Sequence, residues 1–177
     1  AIEQVNVWGC GSFECWWPGR IFGNNRAERA GRLEVHPWAD DRSARARERQ
    51  GAILRWDWRE RFSRFAEGLR EKQVYVTIDL DCLRAEEAVT NWESGRFTVE
   101  DVAWAIGELQ RTSRIVGGDI CGAWSPARYA RRKQRFASEM DHPRLSVPDL
   151  AVVRQINLRA LRTLLPLFGI ETFRDGE

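Results

Sequence analysis

Asp79 and Asp81 stand two residues apart in the run VYVTIDLDCL (74–83), between β-branched and aliphatic neighbours. Alternate residues of a strand point to the same side, so the spacing predicts two carboxylates on one face at the C-terminal end of a strand. That end is where open α/β sheets place their ligands. Two close carboxylates repel each other and are costly to leave uncompensated. A divalent cation with oxygen ligands is an economical counter-charge. The other assignment is structural: one aspartate caps the following turn and its neighbour meets an arginine. With 26 of the 28 basic residues being arginine, that partner is plentiful. Asp119, in GGDICGAWSP (117–126), closes a second predicted strand and would bring a third acid to the same crevice.

Elements must hold these residues. QVYVTIDL (73–80) reads as a strand with a continuous apolar run, the pattern of a parallel strand covered on both faces. SRIVGGDIC (113–121) reads as the next strand. Thr98 with Asp101 forms a capping box opening a helix through Leu109 and Gln110, with Val102, Ala105, Ile106 and Leu109 as its stripe. Upstream, IEQVNVWGC (2–10) and RLEVH (32–36) are candidate strands. Trp58, Phe62, Phe65 and Leu69 mark a helix capped by Asp57. SPARYARRKQRFASEM (125–140) has a helix start. Pro148 opens a last helix, with Leu150, Val153, Ile156, Leu161, Leu164 and Leu165 inward. Strand, helix and strand in alternation predict βαβ units with right-handed crossovers. The fold class is α/β, a parallel sheet with helices on both faces in a single domain over 1–177.

A net charge of +2 gives no electrostatic footprint for nucleic acid, and no apolar run is long enough to span a membrane. With no signal peptide in the sequence, a cytoplasmic location and reduced thiols at Cys10, Cys15, Cys82 and Cys121 are expected. The C-x4-C spacing of Cys10 and Cys15 has no second pair at zinc-finger spacing. Nine tryptophans are mainly packing residues. Trp92 and Trp124 differ in flanking the strand ends of the crevice. His142, before Pro143, is either an acid/base group for that crevice or a hydrogen-bonded loop histidine. The basic cluster RYARRKQR (128–135) reads as a solvated helix face.

The order of these features resembles the C-terminal half of the arginase/agmatinase/histone-deacetylase superfamily. That family has a strand ending in S-[IF]-D-x-D-x-[LF]-D, a long loop, a helix opened by threonine, a strand reading G-x-D-[IV]-x-E-x-x-P and a C-terminal helix. The matching segments are VTIDLDCL, RAEEAVTNWESGRF, TVEDVAWAIGELQ, RIVGGDICGAWSP and SVPDLAVVRQINLRALRTLL. The resemblance implies that Asp79 and Asp81 are metal ligands, that Asp119 orients the site, and that the cofactor is a divalent metal, manganese first and zinc second. The activity it implies is metal-dependent hydrolysis of a C–N bond in a small-molecule substrate. Two departures stand out. The family's glutamate after D-[IV]-x falls on Gly122, with Glu93 as a substitute carboxylate. The upstream D-x-H-x-D ligand motif has no counterpart, since the histidines are only His36 and His142. With the sequence starting on Ala1, the expectation is a C-terminal portion of a longer arginase-like domain, compatible with a homo-oligomer. Two other functions fit the residues: a non-catalytic α/β binding domain that kept the fold, and a D-x-D phosphatase with Asp79 as nucleophile.

Overall fold

The computed structural model describes residues 3–9, 30–39, 51–92, 94–126, 133 and 148–169. The chain divides into two compact units, Ala1–Arg70 and Glu71–Glu177. Each is mixed α/β with parallel strands.

In the first unit, β1 (Val5–Trp8) pairs in parallel with β2 (Leu33–His36), Val5 opposite Leu33 and Trp8 opposite His36. Helix α1 (Trp58–Gly68) buries Trp58, Phe62 and Ala66. The predicted stripe is therefore present, but its cap differs. Asp57 makes no side-chain cap bond; its Oδ1 accepts instead from Leu54 N–H at 2.8 Å, tying the helix to the turn before it. Arg61 reaches back to Asp57 at 3.9 Å and donates to the Ala52 carbonyl. Trp8, Phe62 and Phe65 form an aromatic cluster with centroids 4.9–5.6 Å apart. His36 stacks on Trp8 at 3.8 Å and 18° and is buried.

That histidine gives the first unit a pH dependence. Burial is the main cause lowering the His36 pKa from 6.5, with Arg61 adding to it; Glu34, 3.6 Å away, and the Gly51 backbone oppose it. A histidine held neutral in the fold favours unfolding once it must charge. Stability is thus full above the unfolded value of 6.5 and declines as pH falls below it toward the depressed folded value. Thermal unfolding followed by near-UV circular dichroism is expected to show that loss as pH falls below 6.5, and His36→Gln is expected to flatten it.

In the second unit, β3 (Gln73–Asp79) pairs in parallel with β4 (Arg114–Cys121), with α2 (Val99–Thr112) as the crossover. The register sets Thr77 opposite Asp119 and Asp79 opposite Cys121, after a bulge at Val74/Tyr75. The capping box forms as the sequence predicts: Thr98 Oγ1 accepts from Asp101 N–H at 3.1 Å, and Asp101 Oδ2 accepts from Thr98 N–H at 3.0 Å. Glu87 adds a third acceptor at this helix start, taking Val99 N–H at 2.7 Å. Helix α3 (Leu150–Leu164) is capped by Asp149, which accepts from Ala151 N–H at 2.8 Å. It buries Val153, Asn157, Ala160 and Leu164.

Two expectations are corrected here. Leu150 is 60% exposed rather than inward, because it is the first helical residue and lies beyond the buried stripe. β3 is not covered on both faces: Gln73, Tyr75, Thr77 and Asp79 are exposed, while Ile78 is buried between them. The helix predicted over 125–140 lies outside the described residues, Ser125, Pro126 and Lys133 excepted.

Candidate functional site

Ile78, Leu80 and Leu83 are buried, and Asp79 is exposed among them. Apolar anchoring on alternate sides of the motif fixes where the carboxylates emerge. β3 stops at Asp79, however, and Leu80–Cys82 forms a 3-10 turn. Asp79 is the cap of that turn, its Oδ1 accepting from Asp81 N–H at 3.3 Å. The picture of two carboxylates side by side on one strand face is therefore corrected. Asp81 sits in the turn, half-buried, and the backbone between the two has left the extended conformation. The capping role weighed against a ligand role is observed for Asp79.

Across the sheet, Asp119 lies on the exposed face two residues from Cys121, the register partner of Asp79. Asp119 Oδ2 accepts from Thr77 Oγ1 at 3.2 Å. The nearness of Asp119 is the main reason the Tyr75 pKa is raised. Tyr75, Thr77 and Asp79 on β3 thus line up beside Asp119 and Cys121 on β4, a polar strip along one face. Cys121 stands opposite Asp79 in the register; loss of hydration and then the Asp79 and Asp119 carboxylates raise its pKa. Burial, followed by Asp81 and Asp79, pushes the Cys82 thiol up to about 12. Neither sulfur is the thiolate that nucleophilic chemistry at neutral pH would require.

Gly122 follows β4 with φ +81, in the left-handed region that favours glycine. A Cβ built there overlaps Asp79 Oδ1 and comes within 3.0 Å of Asp79 Cγ and 3.1 Å of Leu80 N. No side chain, glutamate included, fits position 122 while the Asp79 carboxylate lies where it does.

The long connection after the motif is held by two asparagine clamps that sequence reasoning missed. Asn157 Oδ1 accepts from Val89 N–H at 2.8 Å, and its Nδ2 donates to the Val89 carbonyl at 2.9 Å. Asn91 does the same for Ser125, Oδ1 accepting its N–H at 2.8 Å and Nδ2 donating to its carbonyl at 2.9 Å. Trp124 N–H adds a bond to the Val89 carbonyl at 2.9 Å. Residues 89–91 are thereby fixed against the segment after β4, and Thr90 bridges antiparallel to Ala123. Trp92, 43% exposed, and Trp124, half-buried, are both carried on this pair of segments. A signal for Asn157 existed: it falls on the inward i, i+4 stripe from Val153, where a polar residue needs a partner. Glu93, His142, Cys10 and Cys15 lie outside the described residues.

Carboxylate oxygens at an exposed strand end suit a hard divalent cation in chemistry, but not in number. Among the described residues, no three His, Cys, Asp or Glu side chains gather closely enough to hold a metal ion. Two surface grooves of the second unit, about 520 and 340 Å³, run along α3, with Arg154 and Leu158 in the lining of both. Neither is lined by Asp79 or Asp81.

No protein-family model matches the chain. Over 61 residues it is 34% identical to an uncharacterized protein of Thermotoga maritima, a stretch covering 34% of this chain and 24% of that protein. A hypothetical agmatinase from Burkholderia thailandensis, solved by X-ray crystallography, aligns with 93% of this chain and 51% of its own at 15% identity and a TM-score of 0.47. The chain therefore spans 24% of the length of the curated relative and 51% of the solved one. Among the described residues, no helix is long and apolar enough to cross a membrane.

Proposed function

We propose that the second unit carries part of the metal site of an arginase-like hydrolase acting on a C–N bond of a small molecule. The observation that carries this reading is Asp79 itself. Its carboxylate is exposed at the C-terminal end of a parallel strand, with Asp81 in the next turn and Asp119 on the neighbouring strand. The order of motifs from 73 to 168 also supports it. Asp79 and Asp81 would hold a divalent cation, manganese first and zinc second, together with ligands from outside the described residues. When bound, such a cation supplies an activated water for attack on a planar carbon.

The chain's own residues have narrower tasks. Asp119, held by Thr77, orients the polar strip beside Asp79. The clamped loop positions Trp92 and Trp124 as walls for the substrate. Because position 122 carries no carboxylate, a guanidinium would need its counter-charge from another residue, with Glu93 as the candidate on the loop. A cytoplasmic location belongs to the same proposal.

One observation favours a second reading. Asp79 Oδ1 already caps the 3-10 turn, which suits a non-catalytic α/β binding domain that retained the motif for structure. Release of urea or ammonia from guanidino and amide compounds in the presence of Mn²⁺ separates the two, assayed in the longest protein that contains this chain. The hydrolase reading expects turnover that Asp79→Asn abolishes. No turnover with any compound tested favours the binding domain, and turnover that survives this substitution removes Asp79 from the metal site of the hydrolase.

A further inference from the structure

We propose that Gly122 is a positioning residue for Asp79: its missing side chain allows the Asp79 carboxylate to lie across the end of β4 in one fixed orientation. Two observations define that orientation: Asp81 N–H donates to Oδ1 at 3.3 Å, and Oδ1 fills the place where a Cβ of residue 122 would stand. A Cβ at position 122 would meet Oδ1 head-on and press on Leu80 N at 3.1 Å, a backbone atom that cannot swing aside. The steric part of this inference stands alone; its consequence for a cation rests on the reading of Asp79 as a ligand. Residues that orient a ligand without touching the metal typically change affinity by about 10- to 100-fold when altered.

The positive φ of Gly122 strains any alanine placed there, so a single substitution does not isolate the clash. A double-mutant cycle does. Gly122→Ala and Asp79→Ala are made singly and together, and thermal midpoints are read without added metal. Gly122→Ala is expected to lower the midpoint about twice as far in the parent as in the Asp79→Ala background, since the second background lacks the opposing carboxylate. Equal drops in both backgrounds overturn the positioning role.

Binding of Mn²⁺ alone, followed by calorimetry, tests the consequence. Gly122→Ala is expected to weaken it at least about tenfold. Gly169→Ala serves as the control, because Gly169 also has a positive φ, +74, with nothing within 4 Å of its Cβ position. It is expected to leave Mn²⁺ affinity unchanged. Parental affinity in Gly122→Ala overturns the link to the cation. A parent protein that takes up no Mn²⁺ overturns the ligand reading of Asp79, and the cycle of thermal midpoints still decides whether Gly122 positions that carboxylate.

Discussion

Leu80→Ala is expected to destabilise the second unit by about 2–5 kcal/mol, the range for emptying a buried leucine site. Leu80 is 1% exposed and sits between the two aspartates in the 3-10 turn. Its side chain anchors that turn from below, so the cavity would form directly under the backbone that carries Asp79 and Asp81. Relaxation into the cavity would move both carboxylates, coupling the loss of stability to the site. Urea unfolding measures the change in stability. Leu80→Met, which keeps most of the volume, is expected to lose less than about 1.5 kcal/mol. Similar losses for the two variants would show that packing at this position does not hold the turn.

Asn157→Ala carries the second large effect, about 1–3 kcal/mol. Its side chain is the partner of both backbone groups of Val89, and Asn157 is only 6% exposed. The Val89 carbonyl keeps the Trp124 N–H, but the Val89 N–H loses its acceptor. Leaving a buried or half-buried donor without a partner is worse than never having made the bond. Hydrogen exchange at the Val89 amide should therefore accelerate more than exchange at Ile106, which sits in the middle of α2. Uniform acceleration at both positions would mean that Asn157 supports the whole unit rather than the loop.

The elements around the motif were legible because their signals are local. The Thr98/Asp101 box lies within one turn of chain, and the strand ends at Asp79 and Cys121 fall within one residue of the sequence reading. What the sequence concealed depends on contacts between segments or on a change of backbone conformation. The i, i+2 rule holds only while the strand continues, and it stops at the first aspartate, where capping by Asp79 turns the chain into a 3-10 segment. Burial also misled at β3, whose apolar run suggested two covered faces. Tyr75, Thr77 and Asp79 form an open polar strip instead. Asn157 and Asn91 act over separations of 68 and 34 residues, so the helical stripe marks Asn157 as needing a partner but does not name Val89. The departure at Gly122 was visible as a missing glutamate; the structure adds that the Asp79 carboxylate occupies the space any side chain there would need.

The central claim is that Asp79 is a cation ligand as well as a turn cap, and Mn²⁺ titration of the parent and Asp79→Asn tests it most directly. Asparagine retains a carbonyl oxygen to accept from Asp81 N–H, so the turn should persist while the negative charge is lost. Calorimetry in the longest protein containing the chain is expected to show saturable Mn²⁺ binding by the parent and at least about tenfold weaker binding by Asp79→Asn, the least that even supporting residues usually produce. Equal affinity in the two proteins, or no binding by either, would contradict the account and leave Asp79 as the cap of a turn.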